Sequence, residues 1–269
     1  MEIEKKIKNT LKKIKLNKKE KILVALSGGK DSTLVAYLLH KFGYQIEGLH
    51  LDLKIGKYSE DCKEAVEKLG KDLKIKIHVY DMKKEMGSGM CYLRTAIQGK
   101  RKGLKNCAIC GVIKKWILNK KARELNFKKI ATGHNLDDEA QTFLLNILKG
   151  SPKLSANTGV MTRNTKDKKF ITRIKPLFYI AENDIRAYTK KKNLFVVYQS
   201  CPCSLDSYRI QLRKFLNTIS NKEKENILKN FNRIYPKLSK LKKGEIQYCE
   251  ICKEPARGKI CMKCQLMNI

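Results

Sequence analysis

Apolar positions along this chain follow two alternating rhythms. Short, nearly continuous apolar runs occur in "KILVAL", "YQIEGLHLDL", "KIKIHVYDM", "KKIATGH" and "LFVVYQS"; runs of this length bounded by turn residues predict strands buried on both faces. Between them lie stretches with the 3.6-residue period of amphipathic helices. "DSTLVAYLLHKFG" predicts a helix running to about Phe42 with Gly43 as its stop. "SEDCKEAVEKLGKDL" predicts a second, opened by Ser59 as N-cap. Further helices are predicted around "CYLRTAIQ" and over "GVIKKWILNKKAREL", "NLDDEAQTFLLNILKG" and "AENDIRAYTKKKN", the last capped near Glu182 or Asn183. Strands alternating with helices imply an α/β fold of Rossmann-like type, a parallel sheet with helices on both faces.

The flanks follow a different pattern. Residues 1–19 place Ile3, Ile7, Leu11 and Ile14 at helical spacing among lysines, a basic amphipathic helix that either packs on the core or lies along a phosphate backbone. From Cys201 the pattern turns helical and basic, and "CEICKEPARGKICMKC" closes the chain. The expected organisation is a basic helix over 1–19, a catalytic domain over 20–200, a basic helical segment over 201–244 and a small finger over 245–269.

Composition changes the picture in two ways. The 269 residues include 59 Lys plus Arg against 26 Asp plus Glu, a net charge of +33 spread along the whole length. Such an excess points to a polyanionic partner, RNA ahead of membrane lipid. No apolar run approaches the ~20 residues needed to span a bilayer, and the Lys-rich start lacks the apolar core of a signal peptide, so a cytoplasmic protein with no membrane partner is expected. In that reducing setting ten cysteines imply metal binding or sulfur chemistry in preference to disulfides. They pair as 107 and 110, 201 and 203, 249 and 252, 261 and 264; Cys62 and Cys91 stand alone and read as small buried hydrophobes.

The candidate chemistry begins at "SGGKDS", Ser27 to Ser32, between the first strand and its helix. A turn there aims backbone amides and the positive end of a helix at one point, a phosphate site. Gly28 and Gly29 let the backbone approach the anion, Ser27 and Ser32 offer hydroxyls, and Lys30 offers a charge. The spacing is not that of a Walker loop. Asp31 beside phosphates implies Mg²⁺ or a helix cap. "TGHNLDDEAQT" places Gly133, His134, Asn135, Asp137 and Asp138 at a second strand-to-helix turn, where carboxylates suit both the helix dipole and Mg²⁺. Alone, that acidic pair is an ordinary cap and His134 an ordinary loop histidine.

Together with "CAICG", these motifs resemble the PP-loop ATP pyrophosphatase superfamily, which cleaves ATP to AMP and pyrophosphate. Within it they resemble the tRNA thiouridine and thiocytidine synthetases (TtuA/TtcA-like). "IKPL" and "SCPCSLDSYRIQLRKFL" resemble that group's later segments, with Cys203 where the group usually has Tyr. The resemblance covers roughly 20 to 269 and implies a PP-loop/HUP-like domain that activates a tRNA base with ATP and replaces its oxygen with sulfur, most often forming 2-thiouridine. It implies that Cys107, Cys110 and Cys201 hold a [4Fe-4S] cluster, leaving one iron open to an exogenous sulfur. Lys114 and Asp138 match positions near the reacting base. His50 and Asp52 end the second strand where the fold places adenosine, although His50 reads equally well as a core residue. The sulfur donor is implied to be sulfide or a thiocarboxylated ubiquitin-like protein, and the group's habit allows a homodimer. Such proteins usually carry a zinc finger ahead of the PP-loop domain, where this chain begins with a Lys-rich helix.

Several alternatives stay open on the residues. Cys107, Cys110, Cys201 and Cys203 could close a zinc site, and a CxxC pair ahead of a helix could relay persulfide without a cluster. A lysidine synthetase-like ligase shares the phosphate loop but leaves the cysteine triplet unexplained. An RNA-binding zinc protein without catalysis has no need of Lys30, Asp31 and Asp138. The terminal Cys249, Cys252, Cys261 and Cys264 have the spacing of a closed structural zinc site, which would present Lys253, Arg257, Lys259 and Lys263 to RNA.

Overall fold

Five apolar segments pair in parallel to build the centre of the molecule: β1 (Ile22–Leu26), β2 (Ile46–Asp52), β3 (Ile77–Asp81), β4 (Lys129–Ala131) and β5 (Thr172–Ile174). Their order is β3-β2-β1-β4-β5. The computed structural model describes residues 2–151, 154–155, 159–162, 167, 169–204, 209–256 without 241–246, and 258–267, with the side chains of 235–240 excepted. Arg257, the expected boundary near Gly244 and part of the segment after "SCPCS" therefore lie outside the described residues.

Alternate residues of each strand feed two cores, because successive side chains point to opposite faces of a sheet. Ile22, Val24 and Leu26 meet α1 (Glu2–Lys13), α2 (Lys30–Lys41), α3 (Gly56–Leu73) and α8 (Glu182–Lys191) on one face. Leu23, Leu49 and Ile130 meet α5 (Met90–Lys100) and α6 (Asn106–Glu124) on the other, after the short α4 (Met82–Met86). Each fully buried aliphatic side chain contributes about 1.5–3 kcal/mol. The N-terminal helix takes the first of its two options: Ile7 and Leu11 are 1% and 2% exposed within the first core. Beyond the sheet, α7 (Leu136–Leu148) is covered by α9 (Arg209–Thr218) and α10 (Asn221–Lys240), with Phe143 and Phe231 rings 4.8 Å apart. The chain closes with the hairpin β6 (Gln247–Tyr248) and β7 (Pro255–Ala256) and with α11 (Met262–Met267). Among the described residues no helix is long and apolar enough to cross a membrane.

Three local expectations are corrected. Helix α3 begins at Gly56, so Ser59 lies inside it; its hydroxyl accepts from the Ile55 amide at 2.9 Å, doing a cap's work from the following turn. Helix α6 begins at Asn106, which puts Cys107 and Cys110 inside its first turns and not ahead of it; buried Ile109 extends the apolar stripe of Ile113 and Ile117. "LFVVYQS" forms no sheet strand. Only Val197 pairs, as a parallel bridge to Gly29, with its amide donating to the Gly28 carbonyl at 2.9 Å. An apolar run predicts extended backbone, and the partner it finds is the phosphate loop.

Candidate active site

The strand order reverses between β1 and β4, the place where open parallel sheets bind ligands. The loops leaving these two neighbours are "SGGKDS" and "TGHN", so adjacency in the sheet brings the two motifs together. Contact is close enough that a Cβ on Gly133 would lie 2.8 Å from the Ser32 amide nitrogen. Asn135 links them, donating from Nδ2 to Asp31 Oδ1 at 2.9 Å while its Oδ1 accepts the Asp138 amide at 3.0 Å. Asp138 completes a capping box by accepting the Asn135 amide.

The phosphate loop is braced from within. Ser32, nearly buried, accepts from the Ser27 amide at 3.1 Å and donates to the Gly29 carbonyl at 3.1 Å. Gly28 has φ +80°, and a Cβ there would fall 2.6 Å from the Cys62 carbonyl oxygen. A side chain at Gly28 is thus excluded twice, by conformation and by the start of the sulfur-bearing side of the site. Gly29 is not crowded by the protein in this way. Lys30 Nζ bonds Asp31 Oδ2 at 2.9 Å and Glu182 Oε1 at 2.8 Å. Sequence reasoning missed Glu182 as a site residue, since nothing local couples a helix start to a loop 152 positions away.

The acidic pair divides its work. Asp137 accepts the Glu182 amide at 2.7 Å and the Lys224 ammonium at 2.7 Å, tying α7 to α8 and α10. Asp138 faces Asp31 and Glu182 instead. Desolvation, then the charge of Asp31, pushes its pKa up to about 6. His134 bonds Thr132 Oγ1 through Nδ1 at 2.9 Å; crowding by the surrounding chain, followed by the charges of Lys175, Lys115, Arg173 and Arg209, drives its pKa down, so the ring is neutral. Lys175, from "IKPL", is itself held by buried Glu139 at 2.6 Å.

At the end of β2 the two predicted adenosine residues are inward-facing. His50 is 2% exposed, its Nδ1 on the Leu26 carbonyl at 3.0 Å and its Nε2 without a partner, and burial lowers its pKa. Asp52 is bound to Lys54, whose ammonium also reaches Asp81 at 2.7 Å. Both shape the strand end next to the loop.

The cysteines form two different arrangements. Cys107 is exposed, while Cys110 and Cys201 are half-buried. The 3-10 turn Pro202–Ser204 packs on α6 and brings Cys201 toward Cys110. Burial raises the Cys110 thiol pKa, and Lys114, one turn on, is the first charge opposing it. Cys201 stands four residues after the Val197 bridge, so the cysteine turn is tethered to the phosphate loop. Cys203 is turned elsewhere: Arg94 Nη2 donates to its sulfur at 3.0 Å, and the Cys91 sulfur lies 3.9 Å away. Cys91 is thus half-buried beside another thiol, a correction to its reading as a lone buried hydrophobe.

Among the described residues only Cys249, Cys252, Cys261 and Cys264 place their sulfurs all within 4.8 Å of one another. A single tetrahedral ion needs that convergence, so the closed zinc site once open to Cys107, Cys110, Cys201 and Cys203 is not formed. A cubane cluster spreads its thiolates over separate irons, and the looser set of Cys107, Cys110 and Cys201 fits it. In the finger, the Cys261 amide donates to Cys249 Sγ at 3.3 Å and the Cys264 amide to Cys261 Sγ at 3.4 Å, the backbone support that zinc thiolates use. The finger sits on α6: buried Glu254 holds Arg123, Leu266 enters the second core, and the Lys263 ammonium lies 4.7 Å from the Trp116 ring centre. Lys263, 8% exposed, therefore cannot meet RNA as the sequence suggested, whereas Lys253 and Lys259 are exposed.

Comparison with known proteins agrees with this geometry. The PP-loop domain family model matches residues 1–219. A tRNA-5-methyluridine(54) 2-sulfurtransferase of Pyrococcus horikoshii is 36% identical, with 99% of this chain and 84% of that protein covered. Cytoplasmic tRNA 2-thiolation protein 1 of Caenorhabditis elegans is 31% identical over 93% of this chain and 67% of its own length. Among solved structures, the U34-tRNA thiolase NcsA of Methanococcus maripaludis, described with its [4Fe-4S] cluster, superposes with a TM-score of 0.82 at 27% identity, covering 99% of this chain and 86% of that one. On this family match and these identities, the chain belongs to the PP-loop family and, within it, to the tRNA 2-thiolation sulfurtransferases.

Proposed function

We propose that this protein is an ATP-dependent tRNA sulfurtransferase that activates a uridine carbonyl oxygen and replaces it with sulfur, forming 2-thiouridine. The observation that carries the reading is the Val197 amide on the Gly28 carbonyl, 2.9 Å, because it ties the turn bearing Cys201 to the loop that grips ATP. Activation and sulfur delivery then occur within one cleft, as a reactive adenylate requires.

The roles follow from the placement of each group. Amides of Gly29 to Ser32 at the start of α2, with Lys30, hold the β and γ phosphates; Lys30 exchanges Glu182 for the anion. Asp31 and Asp138 are the groups to hold Mg²⁺ between them and the polyphosphate. The base oxygen attacks the α-phosphate, pyrophosphate leaves, and sulfur then displaces AMP. Lys114, exposed one turn beyond Cys110, supplies positive charge where the adenylate forms. Neutral His134 bonds without adding charge to an already cationic surface formed with Lys115, Lys175 and Arg209. Cys107, Cys110 and Cys201 are the residues to hold a [4Fe-4S] cluster, which when bound supplies an iron open to exogenous sulfur. Cys249, Cys252, Cys261 and Cys264 are the residues to hold zinc. Sulfide, or the thiocarboxylate of a ubiquitin-like protein, serves as donor in a cytoplasmic setting.

Pyrophosphate release from ATP should depend on added tRNA, and mass spectrometry of the digested tRNA should show 2-thiouridine at one position. ATP hydrolysis indifferent to tRNA, or a lysidine product, would sink the proposal. A pH profile checks Asp138: below about 6 its carboxyl is neutral and above it ionised, so kcat/KM for pyrophosphate release should rise through pH 6. In Asp138→Asn that limb should vanish, with a loss of about a hundredfold or more at pH 7. An unchanged limb in the variant would assign it to another group.

A further inference from the structure

Arg94 is the least expected buried group in the molecule. Its side chain, on α5, is 8% exposed, and its Nε has no hydrogen-bond partner. Among the described residues no carboxylate pairs with it; the groups that act on its charge are the sulfurs of Cys203, Cys91 and Cys110. A guanidinium taken out of water without a carboxylate is costly unless an anion meets it, and here the anion available is sulfur. Nη2 lies 3.0 Å from Cys203 Sγ, and Cys91 Sγ stands 3.9 Å from the same atom. Both cysteines are half-buried, so a small donor can reach them, and Cys203 is two residues from Cys201. None of the three residues has a part in base activation.

We propose that Cys203, Cys91 and Arg94 form a second sulfur site, a persulfide-splitting dithiol that releases hydrosulfide beside the cysteines proposed to hold the cluster. The proposal deepens the thiolation reading and rests on it. Cys203 attacks the outer sulfur of a small-molecule persulfide, R–S–SH; the donor's S–S bond breaks, R–S⁻ leaves with the electron pair, and Cys203–S–SH forms. Cys91 then attacks Cys203 Sγ, the sulfur 3.9 Å away. A Cys91–Cys203 disulfide forms and HS⁻ leaves with the electron pair, next to the Arg94 guanidinium. A dithiol reductant returns the pair to thiols, so the net change is reduction of one sulfane sulfur to sulfide by one dithiol. Arg94 acts by holding the anions: the Cys203 sulfur before attack and the hydrosulfide after it. Without this supply, free sulfide would have to reach the cleft by diffusion.

The test uses the full chain with its metal groups in place, kept anaerobic and given cysteine persulfide without ATP or tRNA, then alkylated and mapped by mass spectrometry. Wild type should release one hydrosulfide per chain and carry the Cys91–Cys203 disulfide. Cys91→Ser should release none and retain one extra sulfur atom on Cys203. Cys203→Ser should do neither, and Arg94→Gln should release hydrosulfide far more slowly. In thiolation assays, Cys91→Ser should work normally on sulfide and stop after a single turnover on persulfide. Hydrosulfide release undiminished in Cys91→Ser, or no added sulfur on Cys203 in that variant, would overturn the proposal. Because the mapping needs neither ATP nor tRNA, a failure of thiolation as such is read separately.

Discussion

Cys201→Ala is expected to lower tRNA thiolation by at least about a hundredfold, the upper end of what disturbing even a supporting residue of a metal site costs. The change should also remove the broad visible absorption of anaerobically iron-reconstituted protein while leaving one zinc per chain. Cys201 stands on a turn that touches α6 and is tethered to the phosphate loop, so its loss removes a thiol without dismantling the ATP site. Tight ATP binding should survive. Full thiolation by iron-free protein, or by this variant, would exclude the proposed role of the three cysteines. Loss of ATP binding along with thiolation would mean that the turn holds the loop together and that Cys201 is structural.

The second large effect is expected at the finger. Cys264→Ser, or zinc removal by a strong chelator, should lower the melting temperature by roughly 10 °C and reduce thiolation as well, although no finger cysteine lies in the cleft. Buried Glu254 holds Arg123, Asn119 of α6 bonds the same carboxylate, and Leu266 fills part of the second core. Opening the finger exposes that pair and that side chain, and breaking a buried ion pair costs about 3–5 kcal/mol, which in a chain of this size is roughly 10 °C. The loss passes to α6, and α6 carries Cys107 and Cys110 in its first turns. An unchanged melting temperature after verified zinc loss would show the finger to be an independent appendage.

The two ends of α6 show how far the sequence reaches. Its apolar stripe, Ile113 and Ile117, is written locally and predicted the helix correctly, as the 3.6-residue period depends only on near neighbours. Its start was displaced, because Ile109 joins that stripe only when packed against the second core. The run at residues 194–200 carries the same lesson in reverse: its extended character was legible, and its destination was not, since pairing with Gly28 and Gly29 depends on groups far along the chain.

The sequence by itself determined the chemistry on offer: a phosphate loop between a strand and a helix, a second acidic turn, three cysteines in motif context and four in a finger. These are short, contiguous patterns whose geometry is local. Tertiary structure alone decided which groups meet. Adjacency of β1 and β4 presses Gly133 against Ser32 and joins Asn135 to Asp31. Burial divides Asp137 from Asp138, one spent on holding helices together and the other raised toward a neutral-pH role. The sulfur of Cys203, two residues from a proposed cluster ligand, is turned toward Arg94 and Cys91 on another helix. Each of these outcomes depends on desolvation and on contacts between residues distant in sequence, quantities that exist only once the chain has packed.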